Sequence, residues 1–125
     1  MTLFGEKGSE KMNVAILGYG VVGSGVAKVL KENSKTITEK TGYEFKVTRI
    51  LDIREFPLSE YRTIITKNFE DIANDKDIDI VVETMGGVEP AFGFVTTCLE
   101  KGKHVVSSNK ELVAAYGAEL LKIAR

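Results

Sequence analysis

Three glycines, Gly18, Gly20 and Gly23, form a G-x-G-x-x-G pattern between a predicted strand and a predicted helix. Gly18 permits a tight turn, Gly20 lets a phosphate approach the backbone, and Gly23 lets the helix pack closely on the strand. The helix N-terminus adds free N–H groups and a partial positive charge, both of which attract an anion. In this context the pattern predicts a dinucleotide-binding turn, and the alternative is a tight turn that binds nothing.

Two charged residues follow the second predicted strand. Asp52 can accept hydrogen bonds from the ribose hydroxyls of an adenosine, which favours NAD, whereas Arg54 can pair with a 2′-phosphate, which favours NADP. Each is otherwise an ordinary solvated charge at a strand end. These residues therefore predict NAD or NADP as the cofactor and leave the choice between them open.

The elements that must position these residues follow from the hydrophobic pattern. The apolar run at 13–18 does not alternate, which predicts a strand buried on both faces. Apolar residues at helical spacing predict a helix from about Val21 into the late thirties, ended by Gly42. The later predicted elements are a strand at 45–52, a short strand at 63–65, a short helix at 68–75, a strand at 78–83, a helix with Pro90 in its first turn and Gly102 after its end, a strand at 104–107, and a last helix opened by a capping box of Ser108 and Glu111.

Strands that alternate with helices predict an α/β fold, because parallel strands need crossover connections and these are right-handed. We expect a Rossmann-like, doubly wound parallel sheet that is incomplete, in one domain over 13–125 after a flexible leader at 1–12. Such sheets bind ligands beyond the carboxyl ends of their strands. The glycine turn, Asp52, residues 84–87 and residues 107–110 all follow predicted strands, which predicts one shared site.

Composition argues against several classes of partner. The formal net charge of −1 gives no electrostatic reason to bind nucleic acid or an anionic membrane. We find neither a signal peptide nor an apolar run long enough for a membrane span. The one cysteine, Cys98, excludes an internal disulfide, agrees with a cytoplasmic location and is predicted to lie in the core. His104 is predicted to be structural, and no residues have metal-ligand spacing, so no metal site is predicted.

Two further segments, taken with the glycine turn, carry a family resemblance. Residues 81–87 are VVETMGG, followed by Pro90 and Ala91, and residues 102–110 are GKHVVSSNK. Together with VAILGYGVVGSG at 14–25, they make the chain closely similar to the N-terminal domain of homoserine dehydrogenases. The similarity covers nearly all of 13–125, and the pairing of E-x-x-G-G with G-K-H-V-V-S-x-N-K is much more specific than the glycine turn.

The resemblance implies the NAD(P)-dependent interconversion of L-homoserine and L-aspartate 4-semialdehyde, in the route to threonine and methionine. The residues that it places along the dinucleotide phosphates are Tyr19, Gly20, Val21 and Val22. Those that it places around the nicotinamide and its ribose are Thr84, Met85, Gly86, Ser107 and Ser108. One departure is Leu51, since many bacterial members carry arginine immediately before the aspartate.

Lys110 matches the family's catalytic lysine, at the junction of cofactor and substrate. A lysine ammonium at a strand end can bond the substrate oxygen and stabilise its developing charge. The alternative is a solvated lysine in a first helical turn. Glu83 has two readings of equal weight, because its carboxylate either faces the site or caps backbone N–H groups near Gly86.

The resemblance also implies a longer enzyme than this chain. Homoserine dehydrogenases continue with a further strand and a domain for substrate binding and dimerisation, so the full-length enzyme is expected to be a homo-oligomer. We expect the 125-residue polypeptide alone to show no measurable homoserine oxidation. We also expect it to self-associate through apolar surface at the sheet edge and the last helix.

Two other hypotheses stay open. One is a related NAD(P) oxidoreductase that acts on another small substrate, such as an aspartate dehydrogenase or a sugar oxidoreductase. Sugar oxidoreductases tend to place Glu-Lys-Pro where this chain has Asn109, Lys110 and Glu111. The other is a non-catalytic module that senses a dinucleotide as a regulatory ligand.

Overall fold

A computed structural model describes residues 10–124, and within them five strands and five helices. The strands are β1 (Glu10–Leu17), β2 (Tyr43–Leu51), β3 (Ile65–Thr66), β4 (Ile80–Glu83) and β5 (His104–Ser107). The helices are α1 (Val21–Glu32), α2 (Ser34–Thr41), α3 (Glu70–Ala73), α4 (Ala91–Glu100) and α5 (Lys110–Ala124).

The strands form one parallel sheet in the order β3-β2-β1-β4-β5. This is the order of the first five strands of a Rossmann sheet, which confirms the predicted α/β class. The order reverses between β1 and β4, so the loops that follow these two strands diverge and leave a crevice. The glycine turn after β1 and the segment after β4 are therefore brought to one place.

The core lies on both faces of β1, as its unbroken apolar run predicts. Val14 and Ile16 pack with Ala27 of α1 on one face. Ala15 and Leu17 pack on the other face, in a cluster that includes Ile72 of α3, Val81 of β4 and Cys98 of α4. Because successive side chains of a strand point to opposite faces, a strand covered on both sides must be apolar throughout.

The sheet begins earlier than predicted. Glu10 of β1 pairs with Tyr43 of β2, and Met12 pairs with Phe45. Residues 10–12 were assigned to a flexible leader, and this part of the prediction is wrong because β2 offers them a partner strand. The remainder of that leader, residues 1–9, lies outside the described residues.

The first predicted helix is two helices. The joint is Asn33, whose backbone angles (φ −107°, ψ 18°) lie outside the α-helical range. No residue of α2 is buried, so packing does not require α2 to continue along the axis of α1. Gly42 ends α2 as predicted, in the left-handed conformation with φ +79°.

The last helix also departs from regular geometry. Tyr116 has non-helical angles (φ −136°, ψ 15°), and its ring packs against Phe92 of α4 with the ring centres 4.2 Å apart. Leu112 and Leu120 are buried against α4, in the cluster that contains Ala91. No helix within residues 10–124 combines the length and apolarity needed to cross a membrane.

Candidate functional site

Gly18 and Gly23 are fixed by the backbone of the turn between β1 and α1. Gly18 adopts φ +98°, a conformation that L-residues rarely take, and its N–H donates to the carbonyl oxygen of Leu51 over 2.8 Å. A Cβ atom on Gly23 would lie 1.9 Å from the carbonyl oxygen of Gly18. Both positions therefore require glycine for reasons that are internal to the fold.

Gly20 differs, because the space above it is open. A Cβ atom placed there would meet nothing closer than the guanidinium of Arg54, at 3.7 Å. Gly20 is also the N-cap of α1; it supplies no side-chain hydrogen bond, and the first turn carries no acidic residue. The N-terminal N–H groups and positive dipole end of α1 thus face open space that can receive an anion.

The residues on either side of Gly20 differ in their exposure and in their contacts within the chain. Val21 and Val22 are exposed residues of the first turn of α1. Tyr19 turns its ring away, edge-on to Phe56 with the ring centres 5.1 Å apart. The N–H of Tyr19 donates to a carboxylate oxygen of Asp52 over 2.9 Å. The N–H of Tyr19, one of the predicted phosphate-binding residues, is therefore already engaged within the chain.

Thr84, at the end of β4, supports the glycine turn. Its hydroxyl lies 3.0 Å from the carbonyl oxygen of Leu17 and 2.9 Å from that of Gly18, so it donates to one or shares its proton between both. Its N–H also donates to Leu17. The hydroxyl thereby ties the loop after β4 to the turn after β1.

Asp52 is buried and its carboxylate is saturated. It accepts from the N–H of Tyr19, from the N–H of Arg54, and from two guanidinium nitrogens of Arg54 at 3.0 and 2.9 Å. The Arg54 hydrogen bond dominates over the opposing effect of burial and lowers the pKa of Asp52 to about 2. A ribose hydroxyl therefore reaches this carboxylate only if Arg54 moves. Arg54 itself is 61% exposed in its side chain and lies over the ring of Phe56.

Glu83 is fully buried at the carboxyl end of β4. One carboxylate oxygen accepts from the N–H of Met85 at 2.8 Å and from the side-chain amide of Asn109 at 3.3 Å. The other accepts from the hydroxyl of Ser107 at 2.6 Å. Of the two alternatives for Glu83, the structure supports the backbone cap near Gly86, with the N–H of the adjacent Met85 as the donor.

The junction of β5 and α5 contains Ser107, which ends β5, Ser108 in the turn, and Lys110, which begins α5. The predicted capping box of Ser108 and Glu111 is wrong: the side chain of Asn109 caps α5, accepting from the N–H of Leu112 at 3.1 Å. The reason is that the N–H of Ser108 still donates to the carbonyl oxygen of Glu83, so the chain remains paired with β4 at that point. Lys110 is the first residue of α5 and is exposed at the carboxyl edge of the sheet.

An open cleft of about 630 Å³ lies along this edge. It brings together half of the predicted site residues, namely Gly18, Gly20, Asp52, Arg54, Thr84, Met85 and Gly86. Tyr19, Val21, Val22 and Gly23 are not among its lining residues. Ser107, Ser108 and Lys110 are not in its walls but continue the same edge from β5. The cleft also has walls that the sequence did not predict, formed by residues 67–69 after β3 and by Phe94 of α4. For residues 67–69, the only feature of the sequence that could have predicted this role is their position directly after the short strand β3.

The remaining candidates lie outside this site. Cys98 is buried in the core, and burial raises the pKa of its thiol to about 11, which confirms the predicted structural role. His104 is exposed at the start of β5, at the opposite end of the strand from Ser107. Within residues 10–124 no group of three or more His, Cys, Asp or Glu side chains is placed to hold a metal ion.

Known proteins resemble this chain over most of its length. The family described as "Homoserine dehydrogenase, NAD binding domain" matches residues 18–125. A homoserine dehydrogenase of Bacillus subtilis is 35% identical over 119 residues, which cover 91% of this chain and 27% of that protein. The chain thus spans about a quarter of the length of such relatives.

Solved structures of homoserine dehydrogenases have the same fold as this chain. A crystal structure of S. aureus homoserine dehydrogenase superposes with a TM-score of 0.83 at 36% identity, covering 93% of this chain and 30% of that one. A hyperthermophilic archaeal homoserine dehydrogenase in complex with NADPH superposes with a TM-score of 0.73 at 25% identity, covering 91% of this chain and 40% of that one. Sequence, family and fold converge, and the chain belongs to the homoserine dehydrogenases as their NAD-binding domain.

Proposed function

We propose that this domain binds NAD(P) across the carboxyl edge of the sheet, with the pyrophosphate over Gly20. The open space at Gly20, directly before the uncapped N-terminus of α1, is the observation that carries the proposal. Glycine at 18 and 23 is explained by the fold alone, whereas glycine at 20 is not. The close approach of a phosphate to the backbone would explain why residue 20 is glycine.

We further propose that the whole enzyme interconverts L-homoserine and L-aspartate 4-semialdehyde, as the names of its relatives imply. The nicotinamide supplies the hydride donor or acceptor when bound. Lys110 is exposed at the same edge of the sheet, where its ammonium can donate to the substrate oxygen and stabilise the charge that develops there. Ser107 and Ser108 lie next to it and carry the nicotinamide end of the site.

The pair of Asp52 and Arg54 supports acceptance of NADP. The carboxylate already accepts four hydrogen bonds, so little capacity remains for ribose hydroxyls. The exposed guanidinium lies beside Gly20 and matches the geometry of a phosphate. The archaeal relative in complex with NADPH is consistent with this choice.

Titration of the chain with NAD and with NADP, followed by thermal unfolding, tests both proposals. A ligand that binds only the folded state raises stability by about 2.7 kcal/mol at a concentration of 100 Kd. Arg54→Ala is expected to weaken NADP binding by roughly ten- to a hundredfold, since removal of a charge-assisted pair costs about 1.5–3 kcal/mol. NAD binding is not expected to weaken, because the substitution also frees the carboxylate of Asp52 for the ribose hydroxyls.

Arg62→Ala is the matched control for this substitution, because Arg62 is exposed in the same connection but does not line the cleft. Equal losses for NAD and NADP in Arg54→Ala would argue against the 2′-phosphate role. No stabilisation of the unsubstituted chain by either dinucleotide would remove the binding proposal itself.

A further inference from the structure

Glu83 is a buried charge that the proposed chemistry does not use. Its exposure is 0%, although an ionised carboxylate loses several kcal/mol of hydration when it is taken into a protein interior. Its neighbours in the sheet register are Leu17 of β1 and Ser107 of β5, so it lies at the carboxyl edge between two other strands. An apolar residue would fill this position without that loss of hydration. The presence of a carboxylate here therefore needs an explanation other than packing.

The hydrogen bonds of Glu83 join two segments that are separate in sequence. The N–H of Met85 belongs to the loop after β4, whereas Ser107 is the last residue of β5 and Asn109 belongs to the turn after it. The amide of Asn109 also donates to the carbonyl oxygen of Gly87, which adds a second link between the same segments. A single buried side chain thus holds the two segments at a fixed separation.

The same network reaches Lys110 through Asn109. The side-chain oxygen of Asn109 caps α5, and its backbone N–H donates to the hydroxyl of Ser107 at 3.1 Å. Asn109 is itself 5% exposed, so its orientation is fixed by these bonds rather than by solvent. Since Lys110 is the next residue, the position of its backbone depends on Asn109 and, through it, on Glu83.

We propose that Glu83 is a positioning residue, whose buried carboxylate clamps the loop after β4 to the turn after β5 and so shapes the nicotinamide end of the site. The inference rests on the proposed function, because it needs a dinucleotide in the cleft. It predicts that Glu83 affects the nicotinamide end of the ligand and leaves the adenosine diphosphate end unchanged. The carboxylate makes no hydrogen bond to the glycine turn, which Thr84 holds through its own hydroxyl and not through Glu83.

Two ligands separate these ends. NAD and ADP-ribose share the adenosine, both phosphates and the second ribose, but only NAD carries the nicotinamide, and calorimetry gives both dissociation constants. If the chain binds NADP more tightly, NADP and 2′-phospho-ADP-ribose take their places. Glu83→Ala is expected to weaken NAD binding roughly tenfold while ADP-ribose binding stays within about twofold, because the loss of a supporting network displaces only the groups that it holds.

Glu83→Gln is expected to restore NAD affinity to within about threefold of the unsubstituted chain. Its carbonyl oxygen can accept from Met85 and Asn109, and its amide can donate to Ser107, whose hydroxyl rotates to accept. Because glutamine keeps the size and the hydrogen bonds of glutamate, this rescue separates a hydrogen-bonded positioning network from a requirement for negative charge at residue 83. It also provides a folded variant if Glu83→Ala fails to fold.

Asn109→Ser tests the clamp from the other side. Serine caps a helix about as well as asparagine but is too short to reach Glu83 or Gly87. We expect this variant to lose NAD affinity and to keep ADP-ribose affinity, as Glu83→Ala does.

Lys103→Met is the control for removing a buried charge. Lys103 is 7% exposed, and its ammonium donates to the backbone carbonyl oxygens of Asp75 and Ile78 at the opposite end of the sheet. It is expected to lower stability and to leave the ratio of the two affinities unchanged.

Several outcomes would overturn the inference. If Glu83→Ala or Asn109→Ser loses NAD affinity and ADP-ribose affinity equally, Glu83 has a merely structural role. If both variants bind NAD as tightly as the unsubstituted chain, Glu83 has no role in binding. Equal affinities of the unsubstituted chain for NAD and ADP-ribose would show that the clamped segments do not hold the nicotinamide. Binding of neither ligand would instead overturn the proposed function, and this inference with it.

Discussion

The glycines near the start of α1 face three different surroundings. At Gly23 a side chain would collide with the backbone of the preceding turn, at 1.9 Å from the carbonyl oxygen of Gly18. At Gly20 the nearest atom is the end of a flexible side chain at 3.7 Å, and at Gly25 nothing lies within 4 Å. One added methyl group therefore has a different physical consequence at each position.

Alanine at these positions separates folding from ligand binding. Gly23→Ala is expected to destabilise the chain by about 3 kcal/mol or more, because backbone cannot move aside as a side-chain tip can. Gly20→Ala is expected to change stability by less than about 1 kcal/mol but to weaken dinucleotide binding roughly tenfold, since its methyl group occupies the approach of the pyrophosphate. Urea unfolding and dinucleotide titration measure the two effects.

Gly25→Ala is the matched control for these substitutions. Gly25 lies within α1, where alanine is favoured over glycine by about 0.5–1 kcal/mol, so this variant is expected to be more stable and to bind normally. The interpretation of the turn fails if Gly20→Ala binds as tightly as the unsubstituted chain. It fails equally if Gly20→Ala unfolds as readily as Gly23→Ala.

Asp52 connects the site to acid stability. Its pKa falls from an ordinary value of 3.8 to about 2, chiefly through the hydrogen bond from Arg54. A carboxyl with a depressed pKa stabilises the fold at pH values above the unfolded-state pKa, and this stabilisation is lost as the pH falls through the folded-state value. The contribution of Asp52 is therefore complete above about pH 4 and disappears towards pH 2.

Asp52→Asn is expected to reduce the stability of the chain at pH 7 by roughly 1–2 kcal/mol, a value discounted for the solvent exposure of Arg54. The difference from the unsubstituted chain should shrink between pH 4 and pH 2, because protonation of Asp52 removes the same interaction. Urea unfolding at a series of pH values measures this. A stability difference that stays constant down to pH 2 would contradict the assigned cause.

At the scale of the elements, the sequence predicts the strands well because their signal is local. β1, β2, β4 and β5 each follow from a short apolar run, and the residues that come after them form the walls of the cleft. A strand buried on both faces needs apolar residues at every position, so its pattern can be recognised without knowing its neighbours. Alternation with helices then predicts the parallel sheet and the edge that holds the site.

The features that the sequence missed depend on partners that are distant along the chain. Glu10 joins β1 because β2 extends beside it, and Ser108 fails to cap α5 because its N–H still bonds the carbonyl oxygen of Glu83. The backbone cap by Glu83 near Gly86 was one of two predicted alternatives, but its bonds to Ser107 and Asn109 cross to the next strand and its turn, and a single sequence offers no pattern for them. Such roles become visible only when the strand ends lie side by side.

At the scale of the whole molecule, apolar side chains are exposed on both faces of the β5 end of the sheet, because Val105 packs with Leu112 and Leu120 of α5 whereas its neighbour Val106 points to the opposite face. β5 is an edge strand of the described sheet, and Val106 on it is 59% exposed. On the neighbouring helix α5, Val113 is 53% and Leu121 62% exposed. An edge strand beside exposed apolar side chains offers both hydrogen-bonding groups and hydrophobic surface to another molecule.

We therefore expect the 125-residue polypeptide to self-associate at high concentration through α5 and the β5 edge. In sedimentation velocity its average sedimentation coefficient should rise with concentration. The double variant Val113→Lys with Leu121→Lys should abolish the rise, because two charges would have to be desolvated in the contact.

Leu58→Lys is the matched control, because Leu58 is 98% exposed but lies in the connection between β2 and β3. The Leu58→Lys variant should associate as the unsubstituted chain does. A monomeric profile at every concentration would exclude this surface as a contact between copies, as would equal association of the double variant.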